Sequence, residues 1–281
     1  MLSPKLMKKW SQKITPQYLQ ERFDTLHFQD AGHGYDAFGL HPNAIEFGAG
    51  LFDWIYNHYF RVASMGAEVI PKSGAAILAA NHSGNIPIDA MMLWNDVIRQ
   101  SNPPRFVRGI ADHFVPALPF VGTLFARGGM VGGSSGNVRA LLEQGELLMI
   151  FPEGVPGIIK PWSQKYQLQK FRVGHAQLAI QHGCPIIPVG IVGAEEQLPS
   201  FFASKRFGKL LGIEAVPIPA VPIPLPVKYR IYYGDPINIA DRFTPSQADD
   251  PKILAEVAKE VQSAVQKLIE RGLAQRQGIF R

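Results

Sequence analysis

The chain has 281 residues, 46% of them hydrophobic, and 28 Lys and Arg against 23 Asp and Glu give a formal net charge of +5. This composition suits a packed globular chain of one large or two small domains and excludes a disordered or fibrous one. The single cysteine, Cys184, excludes an internal disulfide and leaves a cysteine-based zinc site without its ligands, so a reducing compartment is expected.

The first forty or so residues are polar and mixed. Their start, MLSPKLMKKWSQK, has no long apolar stretch, so no secretory signal is expected, and KLMKKWSQKI reads as a weakly amphipathic basic segment. From 43 to about 67 an aromatic-rich pattern predicts a helix. The stretch FGAGLFDWIYNHYFRVASMGAEVI comes nearest to a membrane span, but Asp53, His58 and Arg61 break it short of the roughly 18 apolar residues required.

Beyond it, apolar runs alternate with helical patterns. AAILAA (75–80) reads as a strand, and DAMMLWNDVIRQ (89–100) as a helix capped by Asp89. RFVRGI (105–110) is a weaker strand, followed by a helix or turn through DHFVPALPFVGTLFARGG. Then come a helix (137–145), the strand ELLMIF (146–151), a helix (173–183), and the strands PIIPVGIVGA (185–194) and VKYRIYYGDPI (227–237). The last helix, about 247–274, carries Ile253, Val257, Val261, Val265, Leu268 and Leu273 at helical spacing. Alternating strands and helices predict an α/β fold with a mixed, largely parallel sheet flanked by helices. An N-terminal helical, membrane-associating segment (1–60) precedes the main domain (61–281).

One segment breaks the rhythm. Residues 198–228 carry prolines at 199, 217, 219, 222, 224 and 226, which forbid a continuous helix and disfavour a central strand. The same segment holds Phe201, Phe202, Leu210 and Leu211 beside Lys205, Arg206 and Lys209. Two readings stand open: a loop packed over the body, or a basic and aromatic element dipping into a lipid interface.

The chemistry begins at AANHSGNIPIDAMML. His82 leaves the carboxyl end of a predicted strand, where ligands gather in α/β sheets. It is the side chain suited to taking a proton near neutral pH. A turn containing Gly84 and Pro87 could fold Asp89 back onto the imidazole, and a carboxylate there would fix the ring tautomer. Asp89 is equally a good helix N-cap, so spacing alone leaves both readings open. LMIFPEGVPG places Glu153 at the same kind of strand end, where it is otherwise a solvated turn residue. LQKFRVGHAQLA puts Lys170 and Arg172 just before a helix, suited to holding an anion.

Taken in order, NHSGNIPID, FPEG, KFRVG and PIIPVGIVGAEE resemble the glycerolipid acyltransferase family, over most of the chain from about Arg61 onward. The six residues between His82 and Asp89 resemble the monoacylglycerol acyltransferase-like branch, although Asn85 stands where that branch usually has a second Gly. The resemblance implies a fatty acyl transfer from acyl-CoA or acyl carrier protein as co-substrate to a hydroxyl of a lysolipid or glycerolipid-type acceptor. It implies His82 as base and Asp89 as its orienting partner. Ser83, Arg127, Glu153, Gly154, Lys170 and Arg172 would then bind or position substrate. Pro156 stands two residues after the Phe-Pro-Glu-Gly block, where phosphate-recognising members carry Arg, so a phosphate-bearing acceptor would need Arg127, Lys160 or Arg172 instead.

No cofactor and no metal are expected, since no paired ligands sit at helical or knuckle spacing. Nucleic acid is not an expected partner, because Lys and Arg form no stripe with interleaved aromatics. A cytoplasmic protein peripheral to a membrane surface is expected. The oxyanion would be met by backbone N–H groups near Gly154 or in the Ser83–Gly84 turn. Two competitors remain: a serine hydrolase built on GGSSG with Ser134 as nucleophile, and a non-catalytic lipid-binding protein. The first lacks the strong strand that a nucleophile elbow needs; the second would have no use for His82.

Overall fold

The structure, a computed structural model, describes residues 4–83, 86–112, 115–211 and 215–281. Gly84 and Asn85, and the side chains of Phe201, Phe202, Leu210 and Leu211, lie outside what is described. Three helices come first: α1 (Pro4–Ile14), α2 (Gln17–Asp24) and α3 (Pro42–Leu51). There follow β1 (Ala63–Met65), β2 (Ala76–Ala80), α4 (Ile88–Gln100), β3 (Val107–Ala111), α5 (Val121–Arg127), β4 (Val131–Gly132), α6 (Ser135–Glu143) and β5 (Leu147–Ile150). The second half holds α7 (Val155–Ile158), α8 (Gly174–His182), β6 (Ile186–Val192), α9 (Ala194–Gln197), β7 (Ser200–Ser204), α10 (Lys205–Leu211), β8 (Val216–Pro219), β9 (Arg230–Tyr233) and α11 (Pro251–Gln275).

Seven strands form one sheet in the order β1-β9-β6-β2-β5-β3-β4. Every neighbouring pair is parallel except β6 with β9. The central strands are short, continuous apolar runs because both faces of a parallel sheet are covered. Alternate residues of β2 therefore serve different layers. Ala76, Leu78 and Ala80 pack with Met92, Leu93 and Val97 of α4. Ile77 and Ala79 pack with Leu141 of α6, Ile180 of α8 and Val257, Val261, Val265 and Ile269 of α11. Helix α11 approaches closely: a methyl group on Gly190 of β6 would stand 2.6 Å from Leu268 Cβ.

A mixed, largely parallel sheet between helices is therefore the observed fold. The N-terminal helices are present too, packing Leu19, Leu40, Ile45 and Ala49 against Ile98 of α4 and Phe106. The helix expected from 43 to 67 ends sooner. It stops at Leu51, gives one π-helical turn at Ile55–Tyr59, and Arg61 then adopts φ 46° to start β1. Pairing with β9 decides this, and no local pattern announces it. Helix α4 is entered at Pro87 rather than capped by Asp89, which lies inside its first turn. The proline-rich segment is not a loop throughout: β7 and β8 make a separate antiparallel ribbon bracketing α10. Pro217 and Pro219 are tolerated there because a two-stranded ribbon is all edge.

Candidate active site

The register of β2 and β5 builds the site. Ala79 lies opposite Ile150, so three residues further along each strand brings His82 beside Glu153. Both leave the carboxyl edge of the sheet, the edge where α/β folds open a crevice. Asn81, fully buried, ties this exit down: its side chain bonds both the N–H and the C=O of Ile191 on β6.

His82 and Asp89 meet. Nδ1–H of the ring donates to Asp89 Oδ2 at 2.7 Å, and the same oxygen accepts from the Ser83 N–H at 2.8 Å and from its hydroxyl at 3.3 Å. Asp89 is fully buried while the His82 side chain keeps 12% of its surface. With Nδ1 held, Nε2 faces away from Asp89, and His82 lines a cleft of about 300 Å³. The ring lies nearly parallel to Phe151, with centroids 4.3 Å apart. Burial opposes the charged ring, but the Asp89 carboxylate, by charge and hydrogen bond, and Glu153 outweigh it. The His82 pKa consequently stands above its ordinary value.

Glu153 turns inward. Sequence reasoning placed it at the acceptor or in a solvated turn, yet it is fully buried. Its Oε1 accepts the His82 N–H at 3.0 Å, and its Oε2 accepts the Gln169 N–H at 2.7 Å and faces Lys160 Nζ at 3.2 Å. Lys160 also pairs with Glu195 at 3.0 Å, so its charge is engaged inside the chain. Gly154 holds a backbone (φ 59°, ψ −148°) that glycine adopts readily, and a methyl group there would stand 2.8 Å from the Arg172 guanidinium carbon. Arg172 thus lies over the turn at the cleft wall, 60% exposed and 3.9 Å from Asp112.

The remaining predicted residues are placed elsewhere. Ser83 is buried and serves Asp89. Lys170 is exposed and outside the lining of the cleft. Arg127 stacks on Tyr35 at 3.9 Å and lines a second, apolar cavity of about 450 Å³ beneath α3 and α4. Pro87, Ala90, Gly109, Phe125, Met130 and Met149 line both spaces, so cleft and cavity share a wall. The N–H groups of Ser83 and Gly154 are already bonded, to Asp89 and to the Phe151 carbonyl. Ser134 caps α6 by accepting the Asn137 N–H, after a strand of two residues. Phe151 and Glu195 lie inside the FPEG and PIIPVGIVGAEE motifs and Lys160 was read only as a stand-in phosphate ligand, so the contacts the three make around His82 and Glu153 were not foreseen.

Among the described residues no group of three or more His, Cys, Asp or Glu could hold a metal ion, and no helix is long and apolar enough to cross a membrane.

The model of the Acyltransferase family matches residues 61–192. An uncharacterised protein of Mycobacterium leprae is 34% identical over 257 residues, covering 87% of this chain and 69% of its own. An uncharacterised protein of Mycobacterium tuberculosis is 36% identical over 239 residues, with 82% of this chain and 66% of its own covered. The human DGAT1/2-independent enzyme synthesizing storage lipids is 31% identical over 207 residues, 73% of this chain and 60% of its own. The chain thus spans 66% of the tuberculosis protein's length and less of the human enzyme's. The crystal structure of the 1-acyl-sn-glycerophosphate (LPA) acyltransferase PlsC from Thermotoga maritima shares the fold. It matches over 98% of both chains with a TM-score of 0.54 at 16% identity. The chain belongs to the Acyltransferase family.

Proposed function

We propose that this protein is an O-acyltransferase that moves a fatty acyl group from an acyl thioester, on CoA or acyl carrier protein, to a hydroxyl of a glycerolipid-type acceptor. The observation that carries this is the His82–Asp89 pair at 2.7 Å, set in a cleft that shares its wall with an apolar cavity. The acceptor hydroxyl gives its proton to His82 Nε2 as its oxygen attacks the thioester carbonyl. The C–S bond then breaks, the proton passes from the imidazolium to the departing sulfur, and an ester and a thiol result. Asp89 holds the tautomer that leaves Nε2 free and stabilises the ring while it is charged. The acyl chain occupies the apolar cavity, and Arg172 meets an anionic group of donor or acceptor at the cleft.

A membrane surface supplies the lipid. Exposed Trp10, Leu51, Trp54, Phe120 and Leu124 support this, with Leu51 and Leu124 also lining the apolar cavity. The cations of α1 (Lys8, Lys9 and Lys13) suit an anionic interface. The human relative's name concerns storage lipids, which favours neutral glycerolipid acceptors, as does Pro156.

One experiment tests the reading. Purified protein is incubated with radiolabelled acyl-CoA and a panel of mono- and diacylglycerols and lysophospholipids in anionic vesicles, and the lipids are separated. Labelled ester on at least one glycerolipid, with the protein floating with the vesicles, is expected. No labelled lipid with any acceptor, from either acyl-CoA or acylated carrier protein, contradicts it.

A further inference from the structure

Behind His82 lies a buried charge cluster that the reaction as written does not use. Lys160, in the loop just after α7, sits between two carboxylates, Glu153 at 3.2 Å and Glu195 of α9 at 3.0 Å. All three side chains are more than nine-tenths buried. Glu195 is fixed in turn, its other oxygen accepting the Tyr166 N–H at 2.8 Å. Glu153 closes the series by accepting the His82 N–H. Two segments, residues 153–166 and Glu195, are therefore tied to the backbone of one histidine far earlier in the sequence.

Burying one ammonium between two carboxylates is a poor way to gain stability, since apolar residues of similar volume often do as well or better. Its value lies in direction. A carboxylate with one oxygen held by a cation and a backbone N–H cannot rotate, so its second oxygen stays where the His82 amide needs it. We propose that Lys160 and Glu195 are positioning residues for His82: Lys160 orients Glu153, and Glu195 holds Lys160 in place. The inference rests on His82 acting as the base. Two effects reach the ring. Its backbone stays fixed relative to Asp89, and a cation near the ring opposes the raising influence of Asp89 and Glu153. Glu195 itself, pushed up by burial to about 7, holds a carboxyl whose charge depends on Lys160 beside it.

The test uses Lys160→Met and Glu195→Gln in the full-length protein, with Lys160→Arg as the conservative rescue. Arg105→Met serves as the stability control. Arg105 bonds the carbonyls of Pro71, Gly74 and Gly145 at the opposite end of the sheet, away from the cleft. Three readouts are taken: kcat against KM, the pH dependence of kcat/KM, and the titration of the His82 ring by NMR. The last needs no turnover, so it stands even if the acyl-transfer reading fails.

For Lys160→Met, kcat is expected to fall by up to about 100-fold with KM little changed. Its acid limb and ring titration should both move to higher pH, because a cation that lowers the ring pKa is gone. Glu195→Gln should fall less, and Lys160→Arg should recover most of the loss. If Lys160→Met does not fold, the Glu195→Gln and Lys160→Arg variants decide. Variants that lower Tm as Arg105→Met does, while leaving kcat and the His82 titration at wild-type values, overturn the proposal.

Discussion

The cleft and the apolar cavity share six lining residues and differ in almost everything else. Around His82, directional bonds fix the ring and its backbone, with Asp89 at 2.7 Å, Glu153 on the amide and Asn81 tied to β6, while Phe151 lies against the ring face. Across the shared wall, residues such as Phe47, Leu51, Met91, Trp94 and Leu124 offer shape and apolar surface, with few polar atoms. Under the proposed function, the first space holds the reacting groups and the second takes the acyl chain. Changes in the cleft should therefore act on rate, and changes in the cavity on which chain is accepted.

Asp89→Asn tests the cleft side and carries the larger effect. His82 works as a base only when neutral, and its pKa lies above the ordinary 6.5. Wild-type activity should accordingly fall on the acid side at a pH above that value. Without the carboxylate charge, burial dominates, the ring pKa drops, and the acid limb moves to lower pH. The plateau rate should fall by about 10²-fold or more because the tautomer is no longer held. A pH–rate series on both proteins checks this; a variant with lower Tm but unchanged kcat and acid limb would reduce Asp89 to a structural role.

Gly48→Leu sharpens the cavity side with a smaller effect. Gly48 lines the cavity from α3, and a Cβ there would meet Trp94 Cη2 at 3.7 Å, an ordinary contact, so the helix tolerates a side chain. Filling the space should weaken long acyl donors by about 0.8 kcal/mol, roughly fourfold, for each methylene denied burial. Short donors should be handled as before, with kcat intact. Competition between long- and short-chain acyl thioesters reads the ratio directly, and an unchanged ratio in a folded variant would move the acyl chain elsewhere.

What sequence reasoning could see follows the same division. The central strands were legible as short apolar runs, and His82 with Asp89 as a base and a carboxylate on either side of a turn. Their meeting was one of two readings that spacing left open, because the choice over an N-cap depends on where Pro87 starts α4. Glu153 was found, but not its inward turn, which follows from the pairing of Ala79 with Ile150. Lys160 and Glu195 lie 35 residues apart and meet only once β6 is laid beside β2. Strand β1 is three residues long and was absorbed into the preceding helix pattern, since only its pairing with β9 marks it as a strand. The lining of the cavity comes from α1, α3, α4 and α5 together, and no single stretch announces it.

The central claim is that one imidazole removes the proton from the attacking hydroxyl. Thiol release from an acyl thioester in the presence of acceptor, followed for wild-type protein and His82→Ala, tests it most directly. The account predicts a loss of about 10²–10⁴-fold in the variant, with the cooperative melting transition retained. Thiol release near the wild-type rate from a folded His82→Ala protein would contradict it.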